Sequence, residues 1–77
     1  MNYENTDWAI EYKTVCPEAY ELAIKLANHP DLTINIVPKN GLYMLEARNL
    51  IPDFPLAYTY TKEQAYNLCV EMNWSIR

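Results

Sequence analysis

The clearest alternation of hydrophobic and polar residues lies on the two sides of Asn40-Gly41. An Asn-Gly pair is typical of a two-residue type I′ turn, in which both central residues have a positive φ. Such a turn pairs Lys39 with Leu42 and fixes the register of every pair beyond it. We therefore predict a β-hairpin with strands over residues 32–39 and 42–48. Pro38 has no N–H donor, which indicates that this end of the first strand is an edge or a bulge.

The predicted register assigns the hairpin side chains to two faces. The first face is apolar throughout and is the expected core face: it carries Leu32, Ile34, Ile36, Tyr43, Leu45 and Ala47. The second face carries Thr33, Asn35, Val37, Lys39, Leu42, Met44, Glu46 and Arg48. Within it, Val37, Leu42 and Met44 form an apolar triplet near the turn. Such a triplet is either covered by the protein itself or marks an interface.

Two segments with helical periodicity flank the hairpin. Residues 17–28 have a broad apolar face, Pro17 suits the first helical position, and Pro30 bars continuation of the helix. In residues 62–73, the preceding Thr61 and Gln64 form a capping-box pattern. The apolar face of this second helix carries Ala65, Tyr66, Leu68, Cys69 and Met72. Apolar faces of this width are typical of helices that pack on a sheet.

Two shorter segments complete the predicted fold. Residues 8–15 alternate like a strand, and residues 56–60 place Leu56, Tyr58 and Tyr60 on one side of a short strand. The element order is then strand, helix, strand, strand, short strand, helix. We predict a single α+β domain over residues 1–77, with a small antiparallel or mixed sheet of three or four strands and two helices on one face. The first strand can pair beside the hairpin or beside residues 56–60.

The two predicted strand–helix units also resemble each other. Residues 18–26 match residues 64–72, and Trp8, Ile10 and Tyr12 align with Phe54, Leu56 and Tyr58. This similarity indicates a pseudo-repeat, in which one strand–helix unit is used twice. The alternative is that two amphipathic helices on one sheet have acquired similar patterns independently.

Composition argues against most catalytic and cofactor-binding chemistry. The chain has seven tyrosines and two tryptophans but one glycine and one histidine. A phosphate-binding loop needs several glycines, and a serine triad would have to combine Ser75 with His29. We therefore expect no enzymatic activity, no metal site and no cofactor. Tyrosine is a rigid amphipathic residue that is common in protein–protein contacts.

Charge and cysteine content limit the classes of partner and the cellular compartment that we expect. The net charge is −4, from ten acidic and six basic residues that are dispersed along the chain. A nucleic-acid ligand is disfavoured because the chain has no basic stripe, while acidic mimicry of nucleic acid stays open as a lesser alternative. No segment approaches the roughly 18 apolar residues of a membrane span. The two cysteines and the lack of a signal-peptide pattern in residues 1–10 indicate a reduced, soluble, cytoplasmic protein with no membrane partner.

Three groups of residues are candidates for a chemical site. Cys16 precedes Pro17 at the expected start of a helix, where the positive helix end favours a thiolate, but no general base lies near it. His29 ends the same helix, where a cation is favoured without any further role. Asp31, Asp53 and Glu46 have no spacing that indicates a metal site, and turn formation explains both aspartates.

The aromatic residues are better candidates for a binding surface. Tyr3 and Trp74 lie near the termini, where we do not expect a small core to cover side chains fully. Trp74 continues the polar side of the second helix, so it either meets a partner or follows the end of that helix. The predicted partner-binding residues are Tyr58, Tyr60, Trp74, Tyr3, Val37, Leu42 and Met44.

These observations favour a small non-enzymatic protein-interaction module that acts through an aromatic and aliphatic patch or through a sheet edge. The Asn-, Ile- and Tyr-rich, Gly-poor composition suggests an inhibitor or modulator of a host protein, for example a phage or mobile-element anti-defence factor. One alternative is a homo-oligomeric structural or accessory subunit, since a chain of this size is marginally stable alone. A thiol or redox protein centred on Cys16 is a lesser alternative.

Overall fold

The computed structural model describes residues 2–77, and the elements below are those of that range. A short 3₁₀ helix, Tyr3–Asn5, precedes the first α-helix. The elements are α1 Asp7–Val15, α2 Pro17–Ala27, β1 Thr33–Lys39, β2 Leu42–Glu46, β3 Pro55–Thr59, α3 Lys62–Met72 and β4 Ser75–Ile76. The α+β class is therefore confirmed.

The hairpin has the predicted register. β1 and β2 pair antiparallel with Lys39 opposite Leu42 and Val37 opposite Met44. Asn40 and Gly41 have φ values of 53° and 81°, as a type I′ turn requires. The turn residues and the alternation of side chains point to the same pairing, which is why the register is predicted correctly. Both strands are shorter than predicted, since β1 begins at Thr33 and β2 ends at Glu46.

The sheet described in residues 2–77 is mixed, with strand order β3-β2-β1-β4. β4 pairs parallel to β1 through Thr33–Ser75 and Ile34–Ile76, and the Arg77 N–H donates to the Ile34 carbonyl at 2.9 Å. Asn73 allows this arrangement because its left-handed backbone ends α3 and turns the chain back to the sheet. β4 could not be predicted from the sequence, because two residues are too few to show a period.

The prediction of a strand over residues 8–15 is wrong, because this segment is α1. The Thr6 side chain accepts a hydrogen bond from the Ala9 N–H at 3.3 Å, so Thr6 caps the helix. Ala9 is fully buried, whereas Ile10 is 52% exposed. Helical spacing of Trp8 and Tyr12, one turn apart, therefore outweighs the apparent alternation.

This correction changes the predicted order and number of elements. The described range holds three α-helices rather than two, in the order α-α-β-β-β-α-β. The pseudo-repeat is not confirmed, because residues 8–12 are helical whereas residues 54–58 lead into and form β3. The other two helices begin as predicted: α2 at Pro17 after Cys16, and α3 after the complete capping box of Thr61 and Gln64.

All three α-helices of the described range pack over one face of the sheet. The core cluster contains helix residues together with strand residues from that face alone: Ala9, Ala23, Leu26, Ala65 and Cys69 meet Ile34, Leu45 and Ala57. Leu45 pairs with Ala57 and Glu46 with Pro55, so β3 has one extra residue, Leu56, and is bulged there. Leu56 therefore belongs to the core cluster. The prediction that it shares a face with Tyr58 and Tyr60 is wrong.

Candidate interaction surface

The second face of the sheet, which the helices leave uncovered, carries an apolar patch near the hairpin turn. Val37, Met44 and Tyr58 form a row across three strands, since Met44 is the register partner of both neighbours. Leu42 lies two positions before Met44 in β2, and Tyr60 directly follows the last residue of β3. We call these five residues the turn patch.

The members of the turn patch differ in exposure. Met44 is 1% exposed, yet it does not belong to the core cluster, which lies on the other side of the sheet. Val37, Leu42 and Tyr58 are half-buried, whereas Tyr60 is 80% exposed. The predicted triplet of Val37, Leu42 and Met44 is therefore buried or half-buried, and Tyr60 is the most exposed residue of the turn patch.

Trp8 holds the Tyr58 side of the patch in place. The two ring centroids lie 5.2 Å apart, with an angle of 52° between the ring planes. The Trp8 indole N–H also donates to the Tyr58 carbonyl at 3.1 Å. Sequence reasoning missed this supporting role because it placed Trp8 on a strand. The available signal was Thr6 as a helix cap, followed by aromatic residues at positions 8 and 12.

A buried carboxylate occupies the opposite end of the same face. Glu46 is fully buried, and its Oε1 accepts from Arg48 Nε at 2.7 Å. Its Oε2 accepts from the Asp53 N–H at 2.8 Å. Asp53 has a φ of 62°, so the carboxylate holds the 47–54 connection in a sharp turn. Glu46 and Asp53 are structural here, as the turn interpretation of Asp53 predicted.

Aromatic side chains from the N-terminal segment seal the β3 edge of the sheet. Hydrogen-bonded and non-hydrogen-bonded pairs alternate along an antiparallel ladder, so the carbonyls of Leu56 and Tyr58 point away from β2. The Tyr3 hydroxyl donates to Leu56 O at 2.6 Å, Trp8 Nε1 donates to Tyr58 O, and the Tyr12 hydroxyl donates to Pro55 O at 2.5 Å. Three side-chain donors thus replace the strand that would otherwise pair there.

The opposite edge of the sheet offers little for strand addition. β4 already pairs with Thr33 and Ile34 of β1. The main-chain groups of Ile36 and Pro38 point the same way as those of Ile34, and a proline has no N–H to donate. Along the part of β1 that β4 does not cover, the Ile36 N–H is therefore the one main-chain donor that points toward an added partner strand. This leaves the turn patch as a better contact surface than either edge.

Tyr3 lies inside the fold, so the expectation that the core leaves it partly uncovered is wrong, whereas Trp74 is half-buried against the core. Tyr3 is 5% exposed, and its ring lies 5.6 Å from that of Trp74. The Trp74 indole N–H donates to the Ala27 carbonyl at 3.1 Å. α3 ends at Met72, before Trp74, which is the second of the two interpretations of this residue.

The fold does not bring Cys16 and His29 together. Cys16 is an exposed free thiol at the start of α2, and His29 lies beyond the far end of that helix. His29 Nδ1 accepts from the Asp31 N–H at 3.0 Å and so shapes the turn before β1. Cys69 is buried in the core, and this burial raises the pKa of its thiol to about 11.

Three general findings bear on function. Among residues 2–77, no group of three or more His, Cys, Asp or Glu side chains could hold a metal ion. Within the same range, every helix is too short or too polar to cross a bilayer. Comparisons of the chain with protein-family models, with curated proteins and with solved structures found no match.

Proposed function

We propose that this chain is a small non-enzymatic protein-interaction module that binds a protein partner through the turn patch. One observation carries the proposal: the row of Val37, Met44 and Tyr58 lies on the sheet face that the helices leave uncovered, and Tyr60, directly after the end of β3, is 80% exposed. The two sheet edges are occupied or lack donors, as described above. A face-on contact is therefore favoured over strand addition.

The composition of the patch suits a binding hot spot. Tyrosine is enriched among residues that dominate binding energy, and it loses little conformational entropy on binding. Met44 and Val37 form a packed floor, and Trp8 fixes the neighbouring ring of Tyr58. An aromatic side chain buries about 150–250 Å², so Tyr60 supplies a large part of the apolar contact area.

The concrete form of this proposal is a cytoplasmic inhibitor or modulator of a host protein, such as a phage or mobile-element anti-defence factor. This form rests on the Asn-, Ile- and Tyr-rich, Gly-poor composition. The identity of a captured partner decides it directly, because an inhibitor must lower the activity of the protein that it captures.

Affinity capture with two matched tyrosine variants tests the proposal. Tyr60→Ala removes the exposed ring beside the patch, whereas Tyr66→Ala removes an exposed ring from α3. We expect the wild type and Tyr66→Ala to retain one stoichiometric partner and Tyr60→Ala to lose it, by about 30-fold or more in Kd for a hot-spot residue. Equal capture by both variants would contradict the turn-patch assignment.

The second candidate is a homo-oligomeric structural or accessory subunit, in which the same patch meets a copy of itself. The distribution of charge favours it. The four helical segments carry seven acidic residues and three lysines, which accounts for the whole net charge of −4, while the strands carry one lysine and one glutamate. Two copies therefore repel each other least when their sheet faces meet.

Sedimentation over a range of concentrations separates the two candidates. A symmetric assembly through the patch predicts a concentration-dependent dimer that Leu42→Lys abolishes, because the substitution places a charge in each half of the interface. A protein that stays monomeric at tens of micromolar, well above the Kd of a standard interface, supports the heterologous partner instead.

A further inference from the structure

The hairpin turn places the single glycine of the chain directly after an asparagine, and both residues are exposed. Asn40 and Gly41 both have a positive φ. Across residues 2–77, no hydrogen bond involves the Asn40 carboxamide, whereas Asn28 and Asn49 each donate theirs to a main-chain carbonyl. The Asn40 side chain is thus held by nothing but its own backbone.

We propose that Asn40 is a site of spontaneous deamidation, with water as the sole co-reactant. The main-chain nitrogen of Gly41 attacks Asn40 Cγ and forms an N–C bond that closes a five-membered succinimide. The bond from Cγ to the side-chain nitrogen breaks, and ammonia leaves with the proton that the main-chain nitrogen loses. Water then opens the ring at either carbonyl, giving aspartate or isoaspartate. The net reaction is hydrolysis of an amide, so no oxidant or reductant takes part.

The sequence and the local geometry select Asn40 over the other asparagines. Each of the others is followed by a residue with a side chain, which hinders approach of its main-chain nitrogen to the carboxamide. A Cβ atom placed on Gly41 would meet no other segment of the protein within 4 Å, so nothing outside the turn crowds this position. Asn73 provides a control within the chain, because it has the same left-handed backbone, φ 59°, but precedes Trp74.

The folded turn restrains the reaction. A type I′ turn holds Asn40 near a ψ of about +30°, the mirror image of the value in a type I turn. Ring closure requires a large rotation about the Cα–C bond of Asn40, because Asn40 Cγ and the Gly41 nitrogen must come within bonding distance. The hydrogen-bonded pair of Lys39 and Leu42 has to open first. The observed rate of deamidation is then the rate at which the open turn deamidates, multiplied by the fraction of molecules in which the turn is open.

The two products affect the hairpin differently. Aspartate adds one negative charge but keeps the turn, since Asp-Gly also suits type I′. Isoaspartate adds one carbon atom to the main chain, so Lys39 and Leu42 can no longer face each other in the same register. The row of Val37 and Met44 in the turn patch is then displaced. A consequent loss of partner binding rests on the proposed function, whereas the chemistry of the turn does not.

Ageing of the full chain in mildly alkaline buffer, with and without urea, tests the site. Peptide mapping by mass spectrometry should show a gain of one mass unit at Asn40 before any change at Asn73, with one ammonia released per event. Urea should accelerate the reaction by about tenfold or more, the factor expected when the native turn is open in about one molecule in ten. Reaction at any other asparagine before Asn40 would overturn the proposal, and equal rates with and without urea would overturn the restraint by the turn.

The effect on the fold is measured on separated products. The aspartate and isoaspartate forms are resolved from the starting material by ion exchange, with Asn40→Asp as a standard for the first. We expect the Val37–Met44 cross-strand contact, followed by NMR, to persist in Asn40→Asp and to disappear in the isoaspartate form. Persistence of this contact in the isoaspartate form would contradict the predicted loss of register. This measurement needs no partner, so its outcome is independent of the proposed function.

Discussion

The hydroxyl of Tyr3 donates a 2.6 Å hydrogen bond to the carbonyl of Leu56, and both residues are buried. The bond joins the beginning of the described chain to the bulged part of β3. An exposed strand edge is a site of unwanted pairing, which proteins commonly cover. Here the cover consists of side-chain donors from the 3₁₀ helix and α1, so the N-terminal segment stabilises the sheet without adding a strand to it.

Tyr3→Phe should destabilise the protein by about 1–3 kcal/mol, the cost of leaving a buried carbonyl without its donor. The substitution removes one oxygen atom and leaves the ring contact with Trp74 in place. Equilibrium unfolding in urea measures the change. The matched control is Tyr60→Phe: among the described residues its hydroxyl makes no hydrogen bond, so its free energy of unfolding should stay within about 0.5 kcal/mol of the wild-type value. Equal effects of the two variants would refute the role of the Tyr3 bond.

Stability should fall at high pH because burial raises the pKa of Cys69 and of Tyr3 in the folded state. The thiol of Cys69 shifts from about 9 to about 11, and the Tyr3 hydroxyl shifts upward from about 10. A group with a raised folded pKa keeps its proton in the folded state after the unfolded state has lost it. Its contribution to stability is therefore complete below the unfolded pKa and is lost as the pH rises toward the folded pKa.

Urea midpoints measured at successive pH values test this loss. The decline should begin near pH 9, where unfolded Cys69 ionises, and steepen near pH 10, where unfolded Tyr3 does. Cys69→Ala should lower stability at all pH values but remove the part of the decline that begins near pH 9. A variant that declines in parallel with the wild type would show that the thiol is not responsible.

Glu46→Gln should loosen the 47–54 connection. Both partners of the carboxylate, Arg48 Nε and the Asp53 N–H, are donors, and glutamine offers one acceptor in place of two. One donor is then left facing an amide N–H₂ group at a buried site. We expect a loss of about 1–3 kcal/mol and faster hydrogen exchange at the Asp53 amide. Glu11→Gln, at an exposed position on α1, is the control and should change neither measurement. If Glu46→Gln also leaves both measurements unchanged, Glu46 does not hold the 47–54 connection in place.

The turn and register of the hairpin could be predicted because two independent signals agree at Asn40-Gly41: the turn residues suit positive φ, and the flanking side chains alternate in the matching register. Residues 8–15 lacked such agreement. Trp8, Ile10 and Tyr12 alternate, but Trp8 and Tyr12 also fit one turn of a helix. The residue that separates the two interpretations is Thr6, a capping residue type just before this segment, whose bond from the Ala9 N–H the structure shows.

The candidate surface was predicted in part for a related reason. The hairpin register places Val37, Leu42 and Met44 on one face, and strand alternation adds Tyr58 and Tyr60. Burial does not follow from local pattern, because it depends on which distant segment covers each residue. Tyr3 and Trp74 contact each other with tilted rings, although they lie at opposite ends of the sequence, and Tyr3 is buried while Trp74 is half-buried.

The contact between Trp8 and Tyr58 can be isolated by a double-mutant cycle with Trp8→Leu, Tyr58→Leu and the combined variant. Leucine keeps an apolar side chain at each site but removes the ring. The hydrogen bond from the Trp8 indole goes to the Tyr58 main chain, so it is lost with Trp8 whatever residue occupies position 58 and cancels in the cycle. The coupling energy should therefore report the ring contact alone, about 0.5–1.5 kcal/mol for an aromatic pair. Urea unfolding of the four proteins supplies the energies, and a coupling within error of zero would show that Trp8 does not support this side of the turn patch. A second cycle on the stacked pair Tyr12 and Phe54, whose centroids lie 5.6 Å apart, provides the reference value for a ring contact in the same protein.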